Sequence, residues 1–220
     1  MSAAVRTIGT STRRPSATAA LLLLPLIAAG CGGSSSRSSS APLAAPPRSS
    51  ISSASKSGSA GIPLDLLHAA PAPARWRIVR IPTGAALHYP PGWRLVAGDA
   101  GTATAILPGP GDRIVGYLNV TPLQGGETLA NWPGFRVHHN AKEGDREVKS
   151  EAVVRGVRVL GGDGTCVRDS YKTSSGARYI ELACLLRGAV ATSVVVGAAP
   201  PRAWGDVSPL LYRAIAGLTT

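Results

Sequence analysis

The sequence predicts an antiparallel α+β sandwich carried on a long unstructured tether, and three observations predict it. From Arg75 onward, short runs with period-two alternation succeed one another, parted by Gly- and Pro-rich turns. Only two stretches, 127–140 and 208–218, carry helical signals. Before them, Gly32 to Pro73 is built from Ser, Ala, Pro and Gly and has too little apolar surface to offset its ordering entropy. Runs of strands with two helices imply a sheet with helices packed on it.

The chain opens on an export signal. Arg6, Arg13 and Arg14 precede an apolar run ending Leu26-Ile27-Ala28-Ala29-Gly30, and no acidic residue occurs before Asp65. The stretch from Ala17 to Ala29 is short for a bilayer span, which takes roughly 20 residues. Cys31 follows at once, and the junction resembles the bacterial lipobox, whose cysteine is diacylated (palmitate-type chains) and becomes the new N-terminus. A plain signal peptide with a chance cysteine is the alternative. Lipidation is energetically sensible, since each buried methylene contributes about 0.8 kcal/mol and two chains anchor where one does not. Arg13-Arg14 hints at twin-arginine export, although Pro15-Ser16 is not the usual continuation. The segments expected are a signal peptide at 1–30, a lipidated cysteine with disordered linker at 31–73, and a folded domain at 74–220. Within the linker, Ile62 to His68 has the composition for a transient helical turn, but a tether reaching roughly 35 Å is the expectation.

The domain's strands are expected at 75–81, 85–89, 93–97, 102–107, 113–121, 152–160, 165–172, 179–187 and 190–196. Pro90-Pro91-Gly92 marks a turn, as does Gly161-Gly162-Asp163-Gly164, which lacks the Lys-Ser/Thr of a phosphate loop. The first helix must start near Pro133-Gly134 or be broken there. For the second, Ser208 suits an N-cap and Pro209 the first turn, ahead of an apolar stripe through Leu211, Ile215 and Leu218.

Three cysteines occur: Cys31, Cys166 and Cys184. Lipidation accounts for the odd one. Ser174-Ser175-Gly176 joins two strand-like runs, with Gly where a three-residue hairpin needs a left-handed residue. That turn pairs Thr173 with Ala177 and, counting outward, sets Cys166 opposite Cys184 at a non-hydrogen-bonded position, where side chains approach most closely. A disulfide there closes a loop of about 18 residues and contributes roughly 3 kcal/mol; two buried thiols in other registers are the alternative. A redox role lacks both a helix N-terminus and a Cys-x-x-Cys turn.

Charge excludes less than it first suggests. The whole chain carries +11. Six of the 23 basic residues and one of the 12 acids precede Ala74, leaving 17 against 11. The bases are interleaved with acids, as from Lys142 to Lys149, without the clustered aromatics of a nucleic-acid surface. A solvated surface is expected, with attraction to anionic envelope polymers or lipid head groups as the alternative. His138 and His139 are adjacent and so point apart on a regular element, and a zinc set would need His88 and carboxylates as well. Glu127, Asp145 and Glu181 include no pair that spacing singles out. Leu129, Trp132 and Phe135 form either an exposed stripe for a partner or a helix face packed on the sheet.

Leu87-His88-Tyr89-Pro90-Pro91-Gly92-Trp93 resembles the aromatic-x-Pro-x-Gly-Trp turn near the start of PsbP-like domains. That superfamily includes extrinsic photosystem II proteins, a Ran-binding import factor and actinobacterial LpqN-type lipoproteins. The resemblance runs from about Trp76 to Leu218. It implies an α/β/α sandwich around a mostly antiparallel sheet and a binding or assembly protein rather than an enzyme. The functional expectation is therefore a monomeric module held on the extracytoplasmic face of the cell membrane by its lipid, free to engage an envelope protein or polymer. No cofactor, metal, catalytic residue or nucleic-acid partner is expected; an envelope enzyme with an unrecognised site is the alternative.

Overall fold

The computed structural model describes residues 63–220. Cys31 and the signal-like segment lie outside the described residues, as does most of the expected tether. Among the described residues nine strands and two α-helices follow one another: β1 (Arg77–Arg80), β2 (Ala86–Tyr89), β3 (Arg94–Val96), β4 (Ala103–Pro108), β5 (Ile114–Pro122), α1 (Trp132–Lys142), β6 (Arg146–Val159), β7 (Gly162–Lys172), β8 (Arg178–Gly188), β9 (Thr192–Ala199) and α2 (Pro201–Ala216). β1 and β2 form a separate hairpin. The others make one antiparallel sheet in the order β3-β4-β5-β9-β8-β7-β6.

β9 joins the two halves of that sheet. The chain leaves β5, crosses through α1 to the far edge at β6, and meanders back until β9 closes against β5. Side-chain alternation then divides two cores. On one face Leu182, Cys184 and Leu186 pack with Leu118, Val120, Val195 and the α2 residues Trp204, Leu211 and Ile215. Leu87 and Tyr89 of the β1–β2 hairpin join this larger core. On the other face Val167, Ala183, Leu185, Val194 and Val196 pack beneath Trp132 of α1. The sheet is thus layered between α1 on one side and α2 with the small hairpin on the other.

The hairpin register expected for the cysteines is the one observed. Gly176 takes φ 89°, Thr173 N–H donates to Ala177 O at 2.8 Å, and Cys166 pairs with Cys184. The two are joined by a disulfide across a Cα separation of 4.1 Å, both fully buried. Pro90-Pro91-Gly92-Trp93 is a type II turn with Gly92 at φ 87° and Trp93 N–H donating to Pro90 O. It drives Trp93, 2% exposed, into the larger core.

Three expectations are corrected. The domain does not begin at Ala74: Leu64 and Leu67, 3% and 4% exposed, pack in the larger core from a short 3-10 turn at Leu64–Leu66. Ala70 N–H reaches Ala216 O, so this lead-in strap is tied to the end of α2. Apolar burial outweighs the low-complexity surroundings that suggested a tether. Second, α2 starts at Pro201 rather than Ser208. Pro201 supplies the fixed φ of a first turn, and Pro209 stands inside the helix. Trp204 and Val207 extend the apolar stripe backwards from Leu211 and Ile215, and their burial holds the extra turns. Third, α1 starts at Trp132, with Pro133 in its first turn, not at Glu127.

Candidate functional site

Two stripes of α1 build the site. Trp132, Arg136 and Asn140 recur every four residues and face the sheet, while Phe135, His139 and Glu143 form the adjacent stripe. Trp132 is 1% exposed and its indole N–H donates to Ala183 O at 3.0 Å, so the aromatic stripe packs on the sheet as one of the two expected readings had it. Arg136 meets Glu181 of β8 through two hydrogen bonds, Nε to Oε1 at 2.5 Å and Nη2 to Oε2 at 2.8 Å. Glu181 is 1% exposed and stands directly opposite Asp169 of β7, which is fully buried. Asn140 Nδ2 lies 3.5 Å from both carboxylates, and Tyr171 donates its hydroxyl to Glu181 Oε2 at 3.4 Å.

The electrostatics of this cluster follow from burial. Desolvation and the facing Glu181 carboxylate push Asp169 up to about 8, with Arg136 opposing. Burial and Glu181 likewise raise the Tyr171 hydroxyl. Burial works against the charge on Arg136, but Glu181 outweighs it and holds the guanidinium above its usual value. The cluster is one shared charge network: two carboxylates, one of them favoured as the neutral acid, and one arginine.

Arg136 also edges a groove that runs beside α1. α1 covers the β6–β8 side of its face of the sheet, and the β4, β5 and β9 side stays open. The floor is Thr104, Ile106, Tyr117, Asn119, Val194 and Val196, enclosing a cavity of about 710 Å³. Phe135 and His139, stacked at 6.3 Å between ring centroids, form the α1 wall. Gln124, Gly125 and Glu127 close the end where α1 begins, together with Asp99 and Thr102 of the β3–β4 loop. Asn119 Nδ2 donates to Thr104 Oγ1 at 2.9 Å, fixing the polar part of the floor. Burial raises the Tyr117 hydroxyl, opposed by its hydrogen bond with Thr104.

The histidines and acids singled out in the sequence are dispersed. His138 is exposed while its neighbour His139 lines the groove, as adjacent helix positions require. His88 lies in β2, in the other sheet. Among the described residues no three of His, Cys, Asp and Glu gather as a metal-binding group. Of Glu127, Asp145 and Glu181, the first lines the groove, the third is buried beneath α1, and Asp145, raised by burial and by Glu181, sits just past α1. Sequence reasoning missed Asp169 and Arg136. The register drawn for the cysteines also sets Asp169 opposite Glu181, and two like charges facing each other on apolar strands were the available signal.

No family model matches the chain, and no curated protein matches it. Solved structures similar to it include a protein from Bacteroides thetaiotaomicron, at 13% identity and a TM-score of 0.42, covering 66% of this chain. The chain spans about half of that protein, 48% of its length. A cyanobacterial PsbP from Synechocystis is similar at 13% identity and a TM-score of 0.47, over 67% of this chain and 94% of that one. LpqN of Mycobacterium tuberculosis, described as involved in cell envelope biogenesis, is similar at 14% identity and a TM-score of 0.43, over 66% and 89%. These are two of the kinds of protein that the Pro-Gly-Trp turn resembles; at such values they assign the chain to no family.

Proposed function

We propose that this chain is a lipid-anchored, extracytoplasmic and non-catalytic binding module, whose ligand or envelope partner occupies the groove beside α1. The groove carries the reading: a concave surface that joins apolar side chains, Ile106, Val194 and Val196, to the convergent polar groups of Thr104, Tyr117 and Asn119 is the usual form of a ligand site. Location rests on Cys31 and the segment before it, and the buried disulfide fits an oxidising compartment. The module works as a monomer at the end of the Ser-rich segment, whose reach sets its effective concentration at the membrane.

The buried Asp169–Glu181 pair is the observation that favours an enzyme, because strongly shifted carboxyl groups cluster at catalytic sites. Neither residue lines the groove, however, and Arg136, Asn140 and Tyr171 hold them beneath α1. A positioning role for α1 accounts for them.

Two measurements test the proposal. A Cys31→Ser chain is expected to lose lipid labelling and leave the membrane fraction; retention at the membrane would refute lipid anchoring. Capture from detergent-solubilised membranes is expected to fail for Ala97→Trp, which plugs the groove from an exposed loop position. Unchanged capture by that variant would place the binding surface elsewhere.

A further inference from the structure

Glu127 brings a buried carboxylate to the groove with one oxygen unmet. The residue is 5% exposed, and its Oε1 accepts the Gln124 backbone N–H at 2.8 Å. Its Oε2 has no hydrogen-bond partner among the described residues. A buried carboxylate oxygen without a donor is costly, so a donor arriving from outside the fold explains why this side chain is held there.

Charge points the same way. The chain is strongly basic, at +11. Yet Asp99, Glu127 and Glu143 line the groove against a single arginine, Arg136, whose guanidinium is already engaged by Glu181. Ala103 pairs with Val120, so the β3–β4 loop with Asp99 and the β5–α1 loop with Glu127 leave the same end of the sheet. Beyond that acidic end Val194, Val196 and Phe135 form an apolar strip along α1, beside the Asn119–Thr104 pair of the floor. An anionic polymer or lipid head group, the partner suggested by net charge alone, would meet repulsion here.

We propose that the groove takes a small amphipathic cation, with an ammonium group at Glu127 and Asp99 and an apolar body along Val194, Val196 and Phe135. This rests on the groove being a ligand site. An ammonium offers three donors and no acceptor, which satisfies Glu127 Oε2 and matches the sign of the surrounding charge.

The test titrates the purified chain with n-hexylammonium, hexanol and hexanoate, following the Trp132 indole N–H and the Gln124 and Val194 backbone amides by NMR. Hexylammonium is expected to shift these resonances saturably, about tenfold more tightly than hexanol, with hexanoate weakest, as a charge-assisted hydrogen bond implies. Glu127→Gln is expected to reduce ammonium affinity about tenfold and leave hexanol unchanged. Asp99→Asn, at an exposed loop position that the fold does not depend on, should show a smaller loss in the same direction. Hexanol or hexanoate binding as well as hexylammonium would overturn the cation while leaving the groove a ligand site. No shift with any of the three would overturn both.

Discussion

Asp169 and Glu181 face each other across β7 and β8, two carboxylates in one buried row of the sheet. The row continues through Ala198 to Tyr117, so it joins the charge cluster under α1 to the floor of the groove. Like charges at directly opposed positions repel. The fold accommodates them with one guanidinium and with a proton that Asp169 retains to about pH 8.

That proton makes stability depend on pH. Asp169 releases its proton near pH 4 when unfolded but near 8 when folded. The folded state therefore binds more protons across that interval, and stability falls as pH rises through it, then levels off. Asp169→Asn is expected to flatten this slope and to equal or exceed the parent in stability at pH 8, by up to a few kcal/mol. Urea unfolding at pH 4.5 and 8 measures it; an unchanged slope would remove Asp169 as its cause.

Removing Arg136 acts in the opposite sense. Arg136→Met keeps much of the apolar stem but leaves Glu181 buried without its cation. A loss of about 3–5 kcal/mol is expected, together with disturbed Trp132 fluorescence, since Trp132 lies one turn away on the same stripe. Pairing Arg136→Met with Glu181→Leu should recover most of that loss, and failure to recover it would show that α1 is held by other contacts.

The disulfide should be structural. Cys166→Ala with Cys184→Ala is expected to cost about 3 kcal/mol without abolishing the fold, because the larger core contains many other buried residues from both sheets and α2. Mass analysis of the native chain should find the pair two hydrogens below the dithiol. Full alkylation before reduction would refute the bridge.

A chain starting at Ala74 should be markedly less stable than one starting at Pro63. The difference is the burial of Leu64 and Leu67, and each fully buried leucine contributes about 1.5–3 kcal/mol. Thermal melts of the two would decide it. Equal midpoints would restore the boundary at Ala74 that composition suggested.

The strands, the two helices, the Pro-Pro-Gly turn and the Cys166–Cys184 register were legible in the sequence because each depends on local rules. Alternation marks a strand, a proline fixes one φ, and a three-residue turn sets the pairing of the strands it joins. The proposal of lipidation at Cys31 likewise draws on its sequence neighbours alone. The register even placed Asp169 opposite Glu181, although nothing local said that both would be buried. What only the tertiary structure decided depends on contacts between distant segments. β9 closes between β5 and β8, α1 crosses to one side of its face, and the uncovered side becomes the groove. Arg136 reaches Glu181 across 45 residues of sequence, and Leu64 reaches the core from inside a stretch that reads as tether. Local spacing carries no information about such meetings, because they are selected by which apolar faces bury each other once the whole sheet has formed.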